Sequence, residues 1–434
     1  MFETLKNAWK IADLRKKLLY TLLIVVIFRI GCKVPVPYLD PEVMKSLFAT
    51  GGIFGDGNLL GYMSILTGGA LKDASIFAMG ISPYITSSIV VQLLAIAIPA
   101  LERLSKEGEA GRKKLNQITR YVAVVLALVQ AVALYLTLKS NGVLINNGWF
   151  PAIVIILSLT AGAMVVTWLG ERIDQKGIGN GISMILFAGI LAGGPQVALY
   201  FWSIITSKNV FQIVMLPVIA ILFILIIAFI VLMTNAERRI PVQYAKRVVG
   251  RKMYGGQNSN IPLKLNMSGV MPIIFASSLM AIPGTIGAFV SNPPPFWKGF
   301  FDLFSYNNWL YAVLSFVLII AFNYFYVSMS FNPVEIANGL RQSNGGIPGI
   351  RPGKPTSDYI ARVLSHITLV GAFFLGIIAI LPIVTQNILA LMGVANVNIA
   401  MGGTSVLIIV SVALDLVRTL ESQLMMRHHK GFLQ

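Results

Sequence analysis

Few residues in this chain have both a reactive side chain and a sequence context typical of a catalytic or metal site. The sequence contains three histidines, His366, His428 and His429, and the last two lie near its C-terminal end. It contains no HExxH zinc motif, no GxSxG nucleophile motif and no GxxxxGK[ST] phosphate loop. A Ser–His pair assembled from distant positions is the catalytic arrangement that stays open. The sequence therefore argues against an enzyme and predicts neither a metal site nor a cofactor.

One glycine-rich stretch could belong to a nucleotide site. KGIGNGIS, at 176–183, contains the GxG pattern that occurs in dinucleotide-binding turns. It lacks the preceding strand and the third-glycine spacing of that fingerprint. A tight turn that opens an apolar helix is therefore the favoured interpretation.

The elements that would position these residues are long and apolar. A mean hydropathy of +0.77, with 56% hydrophobic and 12% charged residues, predicts a polytopic membrane protein. Residues 213–234 contain no charge, and a helix of about 20 such residues crosses a bilayer. Ten spans are predicted near residues 18–36, 74–98, 117–138, 149–170, 181–204, 213–234, 268–290, 309–331, 366–386 and 400–418. They divide into an N-terminal half, 1–205, and a C-terminal half, 206–434, which would be inverted relative to each other if they are repeats.

Positive charge is concentrated on one side of these spans. The net charge is +17, and most of the 34 Lys and Arg fall in the two termini and in alternate loops. By the positive-inside rule that side is cytoplasmic, and both termini lie there. Ahead of the first span, Phe2, Leu5 and Trp9 recur at helical spacing among lysines, which predicts a short helix on an anionic lipid surface.

Ionisable residues are rare inside the spans. Asp415 is the only acidic residue well within one, and Arg29 is the only comparable cation. Proton-coupled transporters usually place several such groups in the membrane, so this class is disfavoured. A channel and a secondary transporter for a small solute both remain compatible with an inverted architecture.

The loops at 235–267 and 332–365 are unusually long and basic. In the first, basic residues alternate with Ile240, Val242 and Val248, which predicts an extended or hairpin segment projecting from the membrane. The alternative is a topology signal lying near anionic lipid. The length and the alternation favour a docking surface for a phosphate-rich or acidic partner. The basic residues concerned are Arg238, Arg239, Lys246, Arg247, Arg251, Arg341 and Arg351.

Five short motifs carry a specific resemblance. MGISPYI, GIGNGIS, ERRIPVQYAKR, IPGIRPG and GGTSVLI occur in this order along the chain. Together they resemble the SecY family, the central subunit of the bacterial protein-conducting channel, over essentially the whole sequence. The resemblance implies an all-α polytopic membrane protein with ten transmembrane helices in two inverted five-helix halves around an hourglass pore. It also implies a short re-entrant plug helix at about 58–73.

The resemblance further implies which residues close the pore. Its pore ring corresponds to Ile81, Ile85, Ile182, Leu186, Ile274 and Ile408, with Leu186 where isoleucine is more usual. The plug corresponds to Leu60, Met63, Ile65 and Leu66, with Gly68 and Gly69 as its hinge. A ring of aliphatic side chains would exclude water and ions when closed without binding any one passing side chain strongly. Without the resemblance, the helical stripe of Ile81, Ile85 and Ile89 would be assigned to lipid contact or core packing.

The resemblance also implies a lateral gate between the 74–98 and 268–290 spans, which would release transmembrane segments into lipid. Polar residues on or near these spans are Ser82, Thr86, Gln92, Asn180 and Asn266, which could hold the gate closed by interhelical hydrogen bonds. Alternatively, Asn180 and Asn266 cap their own helices. The implied partners are SecE, SecG, the SecA ATPase, signal sequences and nascent polypeptide, membrane lipid, and the ribosome through RNA and protein at its exit tunnel. The implied location is the bacterial cytoplasmic (inner) membrane.

Overall fold

Long apolar helices account for most of the chain. The structure is a computed structural model that describes residues 2–49, 61, 64, 67–146, 148–195, 202, 206, 210–244, 247–249, 252–254, 258–289, 294, 299, 309–391 and 403–430. In the first half the helices are α1 Phe2–Lys10, α2 Ala12–Gly31, α3 Pro41–Ala49, α4 Ser82–Ala97, α5 Pro99–Lys106, α6 Glu109–Ser140, α7 Trp149–Lys176 and α8 Gly181–Leu191. In the second half they are α9 Val210–Asn235, α10 Met271–Phe289, α11 Trp309–Ser330, α12 Pro333–Gln342, α13 Lys354–Leu391 and α14 Gly403–Lys430.

The described strands are confined to the two long basic loops. They are β1 Glu237–Tyr244, β2 Arg247–Val249, β3 Lys252–Tyr254, β4 Asn258–Lys264 and β5 Gly345–Gly346. β1 pairs antiparallel with β4 along its whole length, β5 joins the other edge of β1, and β2 pairs with β3. The hairpin predicted for the first loop is confirmed.

Every predicted span overlaps one of the helices. Among the described residues, four helices are long and apolar enough to cross a membrane: Glu109–Ser140, Trp149–Lys176, Trp309–Gln342 and Lys354–Leu381. Shorter apolar helices occupy Gly181–Leu191, Phe223–Asn235 and Met271–Met280. The prediction of a polytopic membrane protein is thus confirmed, and the count of ten spans stays a prediction.

The boundaries of the first two predicted spans were wrong. α2 ends at Gly31, and the chain beyond it runs extended against the start of the second predicted span. Val36 N donates to Ala74 O at 2.8 Å, and Ile76 N donates to Val34 O at 3.0 Å. Prolines follow α2 and remove helical hydrogen-bond donors there, so these backbone groups pair across the two segments instead. The second span becomes α-helical only at Ser82.

A sharp bend follows α4. The axes of α4 and α5 differ by 108°, and the break lies at Ile98 before Pro99. A residue that precedes proline avoids the α conformation, and Ile98 is extended, with ψ 112°. α5 is amphipathic and packs on the start of α6, where a Cβ on Gly111 would lie 1.9 Å from Leu104 O. The bend therefore ends the predicted span, and α5 runs roughly perpendicular to α4.

Buried apolar residues form separate clusters that follow the predicted halves. One cluster lies entirely in the first half, on α3, α6 and α7, on the residues just before α3 and on the stretch that leads into α4. Another lies entirely in the second half, on α9, α10, α11, α13 and α14. A third joins the two halves and draws on α2, α4, α7, α8, α10 and α14. This arrangement fits two halves with a shared contact, and a boundary at 205/206 stays a prediction.

The N-terminal helix packs against the other end of the chain. Ala8 of α1 is fully buried in a small apolar cluster with Leu14, Ile178 and Leu420. Trp9, the next residue, is 52% exposed. The predicted short helix is confirmed, and its contact with lipid stays a prediction.

Candidate functional site

Aliphatic side chains from four helices meet in the cluster that joins the two halves. That cluster contains all six residues predicted for the pore ring, Ile81, Ile85, Ile182, Leu186, Ile274 and Ile408. Ile81 and Ile408 are 3% and 2% exposed, whereas Ile182 and Ile274 are only partly buried. The fold thus brings together residues that lie far apart in sequence, on α8, α10 and α14 and on α4 with its N-cap residue, Ile81. Their action as a ring stays a prediction.

The isoleucine stripe on α4 lies against protein. Ile85 and Ile89 are buried, whereas Leu93, Leu94 and Ile96 further along the same helix are exposed. Lipid contact is therefore the wrong assignment for the stripe. Burial of these isoleucines is expected both if they form a closed pore ring and if they only pack the core. A polar substitution should raise ion conductance in the first case and leave it unchanged in the second.

The turn at 177–181 sets where α8 begins. Gly181 approaches α7 so closely that a Cβ would lie 1.9 Å from Gly170 O. Its backbone N–H donates to Asp174 Oδ1 at 2.7 Å, and Asn180 Oδ1 caps α8 by accepting from a backbone N–H three residues on at 3.2 Å. These contacts fix the first turn of α8 and hence its two pore-ring residues. The interpretation of KGIGNGIS as a turn that opens a helix is confirmed.

Most of the predicted plug lies outside the described residues. This applies to Leu60, Met63, Ile65 and Leu66. The predicted hinge is described, and Gly68 and Gly69 have φ of +67° and +85°. Residues with a Cβ rarely adopt this left-handed region, so the chain reversal at this point depends on glycine. A hinge is consistent with that geometry and stays a prediction.

The C-terminal end of α2 holds the segment around the glycine pair. Arg29 Nη1 donates to Gly68 O at 3.1 Å. Just beyond α2, Lys33 Nζ forms a 2.5 Å salt bridge with Asp73 Oδ2. Ala70 is fully buried in the same cluster as the pore-ring residues. The end of the predicted plug is therefore anchored beside that cluster.

The polar residues predicted for the lateral gate form hydrogen bonds within their own segments. Thr86 Oγ1 donates to Ser82 O at 3.0 Å, and Gln92 Nε2 donates to Ser88 Oγ at 3.3 Å, all on α4. Asn180 caps α8, which is the alternative that the sequence left open. α4 and α10 do lie in contact. The predicted hydrogen bonds between them are not among those of the described side chains, and the gate role of these residues stays a prediction.

Asn266 belongs to a buried polar network that was not predicted from the sequence. Ser268 Oγ donates to Asn323 Oδ1 and also lies 3.5 Å from Asn266 Oδ1. Asn323 Nδ2 donates to Thr368 O at 2.9 Å. All four residues are buried, and the network ties the start of α10 to α11 and α13. The signal in the sequence was Asn323, an amide within the apolar span 309–331.

The two long basic loops form one unit with its own core. β5 of the second loop extends the sheet that β1 and β4 of the first loop form. Ile240, Val242 and Leu263 of the first loop pack with Leu340 and Ile347 of the second. Because these contacts join the two loops, the basic residues of both loops lie on one packed structure. We call the described residues of 237–264 and 333–353 together the basic unit.

The basic residues of this unit lie on its surface. Arg238, Arg239, Arg341 and Arg351 are exposed. The side chains of Lys246, Arg247 and Arg251 lie outside the described residues. Arg239 pairs with Glu237 at 2.7 Å. Thr356 Oγ1 donates to Arg351 O at 2.8 Å, which fixes the backbone just before α13 and leaves the arginine side chain in solvent.

Comparison with protein families identifies one match. The family model described as SecY matches residues 75–417. The chain is 44% identical to the protein translocase subunit SecY of Streptomyces griseus, and the match covers 100% of both chains. It is 41% identical to the protein translocase subunit SecY of Mycobacterium bovis, again over 100% of both chains.

The fold also matches solved structures at low sequence identity. A structure reported as showing that the plug domain of the SecY protein stabilises the closed state of the translocation channel has a TM-score of 0.64 and 18% identity. The match covers 94% of this chain and 92% of that one. Sec61 in the canine ribosome–channel complex from the endoplasmic reticulum has a TM-score of 0.61 and 17% identity, with the same coverage.

Proposed function

The chain belongs to the SecY family, and from that premise we propose that it forms a channel through which unfolded secretory polypeptides cross the membrane. It is a channel subunit and not an enzyme. The observation that carries the mechanism is the convergence of six aliphatic side chains from four helices in one buried cluster. The described end of the segment that corresponds to the plug is anchored beside that cluster.

In this mechanism the aliphatic cluster is the constriction of the resting channel. Its members offer neither hydrogen bonds nor charge, so they exclude water and ions when packed together and hold no passing side chain tightly. The plug, at about 58–73, seals the outer side of the constriction. Its left-handed glycine pair lets the chain reverse beside α2 and α8 and leave when the pore opens.

The lateral gate lies between α4 and α10, which contact each other across the two halves. Opening this seam lets a signal sequence or a transmembrane segment pass from the constriction into lipid. The buried network of Ser268, Asn323 and Thr368 supports this division, because it fixes the start of α10 to the second half. α10 then moves with that half when the seam opens.

Translocation is driven from outside the chain. The basic unit is the docking surface, and exposed arginines such as Arg239 and Arg351 suit paired contacts with phosphate or carboxylate. The ribosome is one partner, as the Sec61 ribosome complex supports. The SecA ATPase is a second driver at the same surface, and SecE and SecG are small membrane subunits of the same complex.

The remaining alternative is a secondary transporter for a small solute. The relatives are translocase subunits and do not favour it. Purified chain in liposomes, tested with and without SecA or ribosomes, separates the two functions. We expect no solute uptake by the chain alone and polypeptide transport only when a driver and SecE are added. Gradient-driven uptake of a small solute by the chain alone would overturn the proposal.

The location is the bacterial cytoplasmic membrane, with both termini and the basic unit on the cytoplasmic side. Ser343 is exposed in the basic unit, and the one native cysteine, Cys32, is buried. Ser343→Cys should therefore react with an impermeant maleimide in inverted vesicles and not in intact spheroplasts. Asn146→Cys, at an exposed position between α6 and α7, is the matched control and should show the opposite pattern. Labelling of Ser343→Cys from outside would reverse the orientation and remove the docking surface from the cytoplasm.

A further inference from the structure

Arg29 is a cation in the last turn of an otherwise apolar stretch of α2. Its side chain is partly buried, and Nη1 donates to Gly68 O at 3.1 Å. Among the described residues no carboxylate pairs with Arg29, and the carboxylate of Asp73 pairs with Lys33. A charged group within a membrane span is costly and usually functional, and here its acceptor is the backbone of the predicted plug hinge.

The Gly68 peptide is held tightly between two helices. A Cβ on Gly68 would lie 2.4 Å from Arg29 Nη1 and 2.7 Å from Gly189 O on α8. Its φ of +67° is a second reason why a larger residue does not fit. α8 also carries Ile182 and Leu186 of the proposed constriction. The hydrogen bond from Arg29 therefore forms only when this peptide is seated against the helix that lines the constriction.

Displacement of the segment removes the acceptor from Arg29. A hydrogen bond with an ionised donor is roughly twice as strong as one between neutral groups. Because the Arg29 side chain is partly buried, water replaces this acceptor only in part, so the seated state is favoured over the displaced one. Lys33 differs, since its side chain is 68% exposed and water replaces Asp73 when that pair separates.

We propose that Arg29 is the residue that sets how strong a signal sequence must be to open the channel, through its hydrogen bond to Gly68 O. The proposal rests on the proposed channel function and assigns a specificity role to a residue outside the pore ring, the gate and the docking surface. Loss of the bond shifts the resting equilibrium towards the displaced segment. Precursors with weakened signal sequences are then accepted, because less of the opening free energy has to come from the signal.

The first test compares Arg29→Met with Lys33→Met in reconstituted complexes. Arg29→Met removes the donors and fits an apolar span, so we expect resting conductance per channel to rise about tenfold, which corresponds to about 1.4 kcal/mol. Transport of a precursor with a defective signal sequence should rise in parallel. Lys33→Met removes an exposed ion pair and should stay within about twofold of the parent. Arg29→Gln serves as a second variant if Arg29→Met is poorly inserted.

The second test displaces the same peptide from the other side of the hydrogen bond. A Cβ on Gly68 would lie 2.4 Å from Arg29 Nη1 and 2.7 Å from Gly189 O, so Gly68→Ala should unseat this peptide and raise conductance and acceptance of weak signals as Arg29→Met does. Gly69→Ala is the matched control, because its backbone is also left-handed but a Cβ there meets no atom within 4 Å. The Arg29→Met, Gly68→Ala double variant should leak little more than either single variant, because both changes remove one contact. If its conductance rises by the product of the two single effects, Arg29 does not act through this segment and the proposal fails.

Failure of this proposal can be told apart from failure of the channel function. Ile85→Asn disturbs the constriction without touching Arg29 or Gly68. If Ile85→Asn leaks and neither Arg29→Met nor Arg29→Gln does, the channel stands and the role of Arg29 is wrong. If none of the three changes conductance, the proposed constriction is wrong as well, and the channel function is then decided by polypeptide transport in liposomes with and without a driver.

Discussion

Replacing Ile85 by asparagine is expected to raise the resting ion conductance of each channel by about tenfold or more. Ile85 is 9% exposed and packs in the cluster that contains Leu186 and Ile408. An unpaired amide buried there costs roughly 1–3 kcal/mol. The closed state loses that stability relative to a hydrated, partly open one, and about 1.4 kcal/mol already changes the ratio of the two states tenfold. Precursors with weak signal sequences should be accepted at the same time.

Single-channel recording, normalised to the protein present in the membrane, checks this result. Ile224→Asn is the matched control. Ile224 is 65% exposed on α9, so this substitution makes the same chemical change away from the cluster. It should lower insertion or abundance and leave conductance per channel at the parental value. Ile182→Asn tests the cluster from α8 and should behave like Ile85→Asn. Parental conductance in both cluster variants would mean that these residues are core packing only.

Reversing the charge of Arg351 is expected to lower translocation about tenfold or more while the protein stays at normal abundance. The side chain is exposed, so its contribution to folding is small. At a docking surface, by contrast, a glutamate facing an anionic partner replaces attraction by repulsion, and like charges in an interface cost several kcal/mol. The hydrogen bond from Thr356 Oγ1 to the backbone oxygen of residue 351 keeps the substituted side chain at the same place on the surface.

Translocation of a standard precursor by reconstituted Arg351→Glu, with SecA and with ribosomes in separate assays, measures the effect. Lys139→Glu is the control, since Lys139 is exposed near the end of α6 on the side opposite to the basic unit in the proposed topology. It should translocate at the parental rate. Full activity of Arg351→Glu with both drivers would show that the arginine is a topology signal and not a contact.

The sequence carries strong local signals for some of these features. Apolar runs predicted the positions of the long helices, and the alternation of polar and apolar residues around Ile240 and Val242 predicted the strands of the hairpin. Both patterns depend only on residues that are close together in the sequence. The turn before α8 was also local, since its glycines and Asn180 supply the chain reversal and the cap within a few residues. The grouping of the pore-ring residues came from the family resemblance, which supplied the tertiary information that spacing alone lacks.

Other features have no local signal. The extended pairing of Val36 with Ala74 depends on two segments separated by α3, so the apolar run was extended past the true end of α2. The contact of Arg29 with Gly68 O is equally non-local, and its acceptor is a backbone atom that no sequence pattern marks. The network around Asn323 needs three helices in place before its hydrogen bonds exist.

The pairing of β5 with β1 has a consequence for how the protein is made. Two apolar helices, α10 and α11, and then α12 are synthesised between these strands. While they emerge, β1 has only β4 beside it, and Leu340 and Ile347 are not yet there to cover Ile240 and Val242. The arginine-bearing surface is therefore completed late in biosynthesis, after most of the membrane part exists. A half-made chain accordingly lacks the complete surface that we propose as the docking site, and we expect it to bind neither a ribosome nor a motor until the second loop has been made.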